Sequence, residues 1–337
     1  MRLGIQLGYS GEGFATAVEE VAEFEAAGAD LVVVPEAYSF DAVSQLGYLA
    51  ARTRTMELAS GVMQLYTRTP TLTAMTAAGL DYVSGGRFSL GLGASGPRVI
   101  EGFHGVTYDA PLARTREVVQ ICRTVWRREP LVHAGRRYRI PLPPARPLKL
   151  INRPVRDRIP ILLAAMGPRN VALAAEIGDG WQALFLDPAA APEVFGPALA
   201  AGLARRDPAL GPLDILAPMP FALAEPTEEL LARHRAQLAL YIGGMGTFAN
   251  DLVRRYGYPG EAATIRELFL SGRRVEAAQA VPKELVQATA LVGGLDEVRG
   301  RVAALAAVGV TTLLVSPLAA TRADRVDDVA ELKRVLV

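Results

Sequence analysis

Short runs of β-branched and apolar residues recur along the first part of the chain, with amphipathic helical stretches between them. The first four runs begin near Arg2, Asp30, Met56 and Phe88, at steps of 28, 26 and 32 residues. This spacing is typical of repeated βα units. The run LVVV at Leu31 is continuously apolar, as parallel strands covered on both faces are. The rhythm therefore predicts a parallel sheet covered by helices.

Later runs bring the strand count to about eight, which predicts an α/β fold closed into a (β/α)8 TIM barrel. They span 159–165, 182–186, 215–223 and 311–315. An open doubly wound sheet is the alternative, because it shares the same alternation. At 337 residues the chain has room for one barrel with insertions, and we expect a single domain over 1–337.

Two segments interrupt the rhythm. The first, about 127–158, is rich in proline and arginine, and its LVHAGRRYRI core predicts a small hairpin turning at Ala134 and Gly135. The second, about 227–290, has a mostly helical pattern. Insertions on barrels usually lie over the active face, so both segments are candidate walls or lids.

Charge and composition exclude several classes of function. Thirty-six Lys and Arg residues against 35 Asp and Glu residues give a formal net charge of +1, so no long-range field favours nucleic acid or an anionic membrane. The single cysteine, Cys122, predicts a buried apolar residue in a reducing compartment. The N-terminus alternates like a strand, unlike a signal peptide, and the apolar stretch 302–320 is broken by Gly309 and Pro317. We expect a cytoplasmic protein that acts on a small molecule.

Few metal-binding residue types are present: the three histidines and one cysteine are not clustered, so no metal site is expected. A G-x-G-x-x-G pattern does occur, at Gly91, Gly93 and Gly96, directly after a predicted strand. Dinucleotide binding requires a helix to begin at once, but the residues after Pro97 do not form one continuous helical pattern. At the end of a barrel strand, these glycines instead predict close approach of a planar ring or a phosphate to the backbone.

Two further glycines lie at predicted strand ends. Gly61 interrupts the third strand, LASGVMQLYTRTP, which indicates a bulge or a close backbone approach, with a packing glycine as the alternative. Gly167 and Pro168 stand at the first turn of a helix after the fifth strand. Free amide groups at such a turn suit a phosphate, with Arg169 and Asn170 beside it, and ordinary helix capping is the alternative.

Six segments spread over nearly the whole chain resemble the luciferase-like monooxygenase superfamily. The resemblance is to its actinobacterial coenzyme F420-dependent oxidoreductases in particular and, more distantly, to methylenetetrahydromethanopterin reductase. It implies a bacterial-luciferase-type barrel with the deazaflavin ring at the carboxyl ends of the strands. The segments are LGYSG at Leu7, VVVPEAYSFDA at Val32, ASGVMQLYTRTP at Ala59, DYVSGGRFSLGLGASGP at Asp81, EGFHGVTYD at Glu101 and AAMGPRNVALAAEIGDGW at Ala164.

The resemblance also implies where the coenzyme contacts the chain. The reductase relatives carry a third-strand bulge with a cis peptide bond that does not precede proline, and the matching bond here joins Gly61 and Val62. The bulge lies near the ring, the glycine-rich strand end near the ribityl chain or phosphate, and the turn after the fifth strand on the phosphate. The implied cofactor-binding residues are Glu36, Ser60, Gly61, Val62, Met63, Gln64, Gly93, Ala94, Ser95, Gly96, Met166, Gly167, Pro168, Arg169 and Asn170.

Two departures from the dehydrogenases of this superfamily bear on the reaction. Those sugar-phosphate and alcohol dehydrogenases carry an Asp-His pair after the second strand, where this chain has Glu36 and Ala37. They also carry a glutamate where this chain has Pro97. Because their general base is missing, we expect reduction of an activated C=C, C=N or C=O bond rather than oxidation of an alcohol.

Such a reduction needs a proton donor near the reacting atoms. The candidates are Glu36, Tyr9, Tyr66 and His104, because all four lie in segments expected at the active face. Each has a structural alternative. Glu36 also suits ring binding or helix capping, His104 suits packing within a loop, and the tyrosines suit the lining of a pocket.

Two other functions fit the same pattern. An FMN-dependent two-component monooxygenase would use the same barrel and phosphate site. A non-catalytic relative that binds flavin or deazaflavin would keep the barrel and lose turnover, and the departures at Ala37 and Pro97 bear on that alternative. The resemblance alone implies a homodimer, and the pattern does not identify the substrate beyond a small organic molecule.

Overall fold

Strands and helices alternate along the computed structural model, which describes residues 1–9 and 13–336. Ser10 and Gly11 of the LGYSG segment lie outside the described residues. The strands are β1 (Arg2–Gln6), β2 (Leu31–Val34), β3 (Glu57–Ser60), β4 (Met63–Gln64), β5 (Phe88–Gly93), β6 (His133–Ala134), β7 (Arg139–Ile140), β8 (Ile161–Ala164), β9 (Gly180–Gln182), β10 (Asp214–Ala222), β11 (Leu291–Val292) and β12 (Thr312–Pro317).

Fourteen helices are present in the described residues. They are α1 (Phe14–Ala26), α2 (Ala42–Arg52), α3 (Pro70–Val83), α4 (Pro97–Ile100), α5 (Pro111–Trp126), α6 (Pro168–Ile177), α7 (Ala191–Leu203), α8 (Glu228–Gly243), α9 (Phe248–Arg255), α10 (Pro259–Leu270), α11 (Arg274–Gln279), α12 (Lys283–Ala288), α13 (Leu295–Ala307) and α14 (Arg322–Leu336). No described helix is both long enough and apolar enough to cross a membrane.

Eight parallel strands close into a barrel. The order around it is β1, β2, β3, β5, β8, β9, β10 and β12, with β12 paired back to β1. β4 continues the line of β3 beside β5, and β11 adds to the edge of β10. The predicted (β/α)8 barrel is confirmed, and the open doubly wound sheet is wrong because β10 pairs with both β9 and β12.

Alternate residues of the strands serve two separate apolar layers. Val32 and Val34 of β2 pack in the layer between the barrel and its helices. Leu31 and Val33 of the same strand pack in the lumen, so β2 is buried on both faces and is continuously apolar. The lumen layer is Leu31, Val33, Ala59, Leu162, Leu216 and Leu314. The barrel is therefore plugged by side chains, and its chemistry has to lie at the mouth.

The strand predicted at 182–186 was misplaced. The barrel strand is β9, and the chain leaves it directly after Gln182. Phe185 has φ 55°, in the left-handed region, which a strand does not allow. The apolar run ALFL therefore forms a buried turn at the mouth, and its hydrophobicity alone did not distinguish turn from strand.

The predicted hairpin in the first insertion is present, but its turn lies elsewhere. His133 pairs with Ile140 and Ala134 pairs with Arg139, so the turn spans 135–138 rather than Ala134 and Gly135. The second insertion is mostly helical, as predicted, and contains α8 to α12.

Glu117 of α5 fixes the turn of the hairpin. Its buried carboxylate accepts hydrogen bonds from the backbone amides of Arg136 (3.0 Å), Arg137 (3.1 Å) and Tyr138 (2.9 Å). His133 Nε2 lies 3.2 Å from the same carboxylate. Burial acts to raise the pKa of Glu117, but these hydrogen bonds outweigh it and hold the pKa below the usual value.

We expect Glu117→Gln to lower the free energy of unfolding by about 1–3 kcal/mol at neutral pH, because the turn amides lose a charged acceptor. A carboxylate with a lowered pKa contributes stability above its unfolded-state pKa, and that contribution disappears as the pH falls through the folded-state pKa. The difference between wild type and variant should therefore shrink below the usual pKa of 4.5.

Urea unfolding at pH 7 and pH 4 measures this difference. Glu129→Gln is the matched control, because Glu129 is an exposed carboxylate paired only with Arg127 in the same insertion. Equal losses of stability in the two variants would contradict the anchoring role of Glu117.

Candidate active site

The third strand carries a one-residue bulge at the mouth of the barrel. Ala59 pairs with Ser89, and the next pair is Met63 with Leu92. Three residues of the third strand thus face two residues of β5, which defines a β-bulge. The cis peptide bond implied by the resemblance is present within it, at Gly61–Val62.

Two glycines of β5 make room for this bulge. A β-carbon on Gly91 would overlap the carbonyl oxygen of Ser60, and one on Gly93 would lie 2.5 Å from Val62 Cγ2. Ser60 Oγ also donates to the Gly91 carbonyl oxygen (2.8 Å) and accepts from its amide (2.9 Å). The packing of the bulge therefore accounts for both glycines, and a ligand contact at Gly93 stays a prediction.

Carboxamide groups from two strands lie close to Gly61, and a third is buried on β4 three residues further along the chain. Gln64 is 3% exposed, and neither polar atom of its amide has a hydrogen-bond partner among the described residues. Gln6 Oε1 and Gln182 Nε2 each lie 3.5 Å from the position that a Gly61 β-carbon would take. Buried amides without partners are costly, so this layer fits a ring with a polar edge.

Gln6 and Gln182 were missed by the sequence reasoning. Both are the last residues of their strands, β1 and β9, and therefore lie at the mouth. Gln6 could have been predicted from its position, because it is the polar residue that ends the first strand. Gln182 was harder to place, because the predicted strand began where the real one ends.

The N-terminus of α6 forms a second corner of the site. Gly167 is its N-cap, in extended conformation and without a side-chain capping bond, and Pro168 has no amide hydrogen. Ordinary helix capping by a side chain, the alternative interpretation of this turn, is therefore not observed at α6. The first helical amides, at Arg169 and Asn170, point outward, and such amides bind anions. Asn170 also lines a cavity of about 20 Å³ shared with the end of β5.

Arg255 from the second insertion reaches this corner. Its Nη2 donates to the carbonyl oxygen of Met166 (2.7 Å), and its Nη1 is buried without a partner among the described residues. The guanidinium lies 5.9 Å from the centre of the Phe195 ring. No local sequence pattern marks this residue, because it lies far along the chain from the α6 turn and the chain is rich in arginine.

The second insertion also covers the loop that follows β5. Ser95 has φ 57°, and its carbonyl oxygen accepts from the hydroxyl of Tyr108 (3.3 Å). Arg98 Nη1 donates to the Gly244 carbonyl oxygen (2.9 Å), which ties the loop to the end of α8. A β-carbon on the buried Gly96 would lie 3.1 Å from the backbone oxygen of the residue after Gly244.

The carboxylate of Glu36 is fully engaged. Arg68 holds both oxygens, at 2.6 and 2.8 Å, and the amide of Ala42 donates to one of them (3.0 Å). The hydrogen bond that Arg68 donates to Glu36 raises the pKa of Arg68. Glu36 thus anchors the start of α2, and this salt bridge leaves it poorly suited to donating a proton.

Tyr66 and His104 are held by loop contacts. The buried Tyr66 hydroxyl donates to the carbonyl oxygen of Asp109 (2.7 Å), and its ring stacks on Tyr108 at 5.0 Å. His104 packs edge-on against Phe103, and its Nε2 is buried without a partner among the described residues. Neither side chain contacts the amide layer around Gly61.

Tyr9 is the candidate donor with the most suitable position. Its side chain is half exposed at the end of β1, and its hydroxyl lies 3.3 Å from that of Tyr241 on α8. Desolvation raises the pKa of Tyr9, so the hydroxyl keeps its proton at neutral pH. Tyr241 lies in the second insertion and was not among the predicted residues.

The described residues contain no cluster of three or more side chains able to hold a metal ion. Cys122 is fully buried, and desolvation raises its pKa to about 12, so its thiol is not a nucleophile in the folded chain. The mouth therefore offers polar amides, free helix amides, an arginine and neutral hydroxyl groups.

The chain is similar in sequence to a known protein family and to individual proteins of that family. The luciferase-like monooxygenase profile matches residues 1–312. A protein of Mycobacterium tuberculosis, provisionally named as a coenzyme F420-dependent oxidoreductase, is 42% identical over 98% of this chain and 99% of its own. The 5,10-methylenetetrahydromethanopterin reductase of Archaeoglobus fulgidus is 30% identical over 80% of both chains.

The solved coenzyme F420-dependent tetrahydromethanopterin reductase of Methanopyrus kandleri has the same fold. It superposes with a TM-score of 0.82 at 21% identity, covering 98% of this chain and 97% of that one.

We expect Gly91→Ala to lower the free energy of unfolding by about 1–3 kcal/mol, because the new methyl group would force the bulge to move. Gly79→Ala is the matched control. Gly79 lies in α3 with open space around it, so this change should raise stability by about 0.5–1 kcal/mol. Urea unfolding of both variants checks the pair, and a neutral Gly91→Ala would show that β5 does not clamp the bulge.

Proposed function

The chain belongs to the luciferase-like monooxygenase family, and from that premise we propose that it is a coenzyme F420-dependent oxidoreductase. Its reaction transfers a hydride between the deazaflavin and a small organic substrate, and we propose reduction of an activated C=C, C=N or C=O bond. The match to the mycobacterial protein over nearly the whole of both chains supports the choice of coenzyme.

The observation that carries the proposal is the bulged third strand beneath the amide layer. It presents backbone and the unpaired carboxamide of Gln64 at the mouth, which suits the polar edge of a flat ring. The α6 amides and Arg255 suit the phosphate of the coenzyme. Bound coenzyme F420 supplies two electrons as a hydride. The chain orients the coenzyme and provides a proton.

The state of the carboxylates supports the reductive direction. Removing a proton from an alcohol requires a free general base. Glu36 is held by Arg68, and the neighbouring positions are Ala37 and Pro97. Donating a proton to a reduced product requires only a protonated hydroxyl group, which Tyr9 has.

We also propose that the chain forms a homodimer, is a single barrel domain with two insertions and works in the cytoplasm. The outer face of α3 supports the dimer, since Leu72, Met75 and Val83 are about half exposed there. Apolar faces of this kind commonly mark protein interfaces. The arrangement of α8 and α9 against the barrel mouth supports one domain, and the lone buried Cys122 agrees with a reducing compartment.

Titration of the purified protein with coenzyme F420 and with FMN tests the cofactor. We expect F420 to bind and to exchange hydride with an activated alkene, imine or ketone. We expect Arg255→Gln to weaken F420 binding about tenfold through loss of its charge at the phosphate, equivalent to about 1.4 kcal/mol. Arg233→Gln, an exposed arginine of the same insertion, should have no effect.

The opposite results are equally informative. Tight binding of FMN without binding of F420 would replace the proposal with a flavin monooxygenase. Binding of F420 without hydride exchange against any of the three bond types would favour a non-catalytic relative. Equal F420 affinities of Arg255→Gln and wild type would remove Arg255 from the phosphate site.

We expect Met75→Lys to convert the dimer into a monomer, because a charge would be buried in an apolar interface. Leu270→Lys, a similarly exposed apolar position at the end of α10, should leave the dimer intact. Light scattering of the eluting protein gives both masses. A monomeric wild type, or a dimeric Met75→Lys protein, would contradict an interface on α3.

A further inference from the structure

A cleft opens at the mouth of the barrel, between residues that follow β1 and β2. It has a volume of about 390 Å³. Its walls include Tyr9, Tyr38 and Phe40, with Pro35 at its base. The Phe40 side chain is 63% exposed, and Tyr9 and Tyr38 are each about half exposed. Three aromatic side chains that line one cleft suit a flat ligand with apolar faces.

Two of the lining residues, Tyr9 and Tyr38, have hydroxyl groups close to that of Tyr241 on α8. Tyr9 and Tyr241 are within hydrogen-bond distance, at 3.3 Å. Tyr38 donates weakly to the sulfur of Met245 at 3.8 Å, and its hydroxyl is near enough to influence the other two. Tyr241 is held in place by its edge-to-face contact with Phe185, at 5.2 Å.

The hydroxyl groups of Tyr9 and Tyr241 keep their protons at neutral pH. Desolvation is the main cause that raises the pKa of both Tyr9 and Tyr241, and the nearby Tyr38 adds to it. No described residue of the cleft wall is charged, and the wall is completed by Gly8, Ser39 and Gln45. Two carboxylates flank the lining residues along the chain: Glu36 is paired with Arg68, and Asp41 caps α2 by accepting hydrogen bonds from the amides of Val43 and Ser44.

We propose that the substrate is an uncharged, flat compound with a conjugated carbonyl group, which binds between Tyr9, Tyr38 and Phe40. Tyr9 donates a proton to the carbonyl oxygen, and Tyr241 positions the Tyr9 hydroxyl from behind. This inference rests on the proposed function, because it takes reduced coenzyme F420 as the source of the hydride.

The reaction balances for an α,β-unsaturated ketone. The hydride forms a new C–H bond at the β-carbon, the C=C electron pair moves toward oxygen, and Tyr9 protonates that oxygen. The resulting enol rearranges to the saturated ketone, and water returns a proton to the half-exposed Tyr9. The ketone gains two electrons, which reduced coenzyme F420 loses.

Binding to the cofactor-free protein tests the substrate class without turnover. The probes are 4-phenyl-3-buten-2-one and its para-carboxylate, which differ only in charge. We expect calorimetry to show at least tenfold tighter binding of the neutral probe, since no described side chain of the wall carries a positive charge to pair with the carboxylate. Phe40→Ala should weaken the neutral probe at least threefold. Equal binding of both probes, or tighter binding of the charged one, would overturn the substrate class.

Turnover with reduced coenzyme F420 tests the two tyrosines. We expect Tyr9→Phe to lower kcat about 100-fold, the usual scale for loss of a general acid, with F420 affinity unchanged. Tyr241→Phe should lower kcat about tenfold. It should also move the alkaline limb of the pH profile upward, because the hydrogen bond from Tyr241 lowers the pKa of Tyr9. Tyr48→Phe, at a half-exposed position on α2, is the matched control.

Failure of this inference is distinct from failure of the proposed function. If wild type binds and uses F420 while Tyr9→Phe keeps its rate within twofold, Tyr9 is not the donor and only this inference falls. An unmoved pH profile in Tyr241→Phe would reduce that residue to a packing role and overturn its positioning of Tyr9. If wild type neither binds F420 nor exchanges hydride with any acceptor, the proposed function itself falls.

Discussion

The mouth of this barrel depends on one steric fit, between the bulge of the third strand and the missing side chains of Gly91 and Gly93. The bulge moves the Ser60 carbonyl group and the Val62 side chain toward β5, and only glycine leaves that space open. Ser60 then binds the Gly91 backbone in both directions. The position of Gln64, and therefore of the amide layer, follows from this fit.

The rest of the site is assembled from distant parts of the chain around that fit. The α6 turn comes from the barrel, whereas Arg255 and Tyr241 come from the second insertion. Barrel elements present backbone groups and amides, which suit a ring and a phosphate. The insertion contributes side chains that close the corner and face the cleft. The corner at α6 and the cleft therefore each depend on both the barrel and the insertion.

The repeating strands and helices made the barrel predictable, because a buried parallel strand needs a continuous apolar run and a helix needs its stripe. The bulge at Gly61 was also visible, as a glycine inside a good strand. Tertiary contacts were not visible. Nothing local in the sequence shows that Arg68 neutralises Glu36, or that α8 brings Tyr241 against Tyr9. The β9 boundary failed because a buried turn is as apolar as a strand.

The separation between barrel and insertion has a consequence for how such proteins diversify. Substitutions within 227–290 can reshape the wall at Tyr241 and Met245 without disturbing the strands beneath. Because Arg255 lies in the same segment, such substitutions also have to preserve its hydrogen bond to Met166 at the α6 turn. Changes at Ser60, Gly91 or Gly93 have no such freedom, since each would have to be matched by a change across the strand pair.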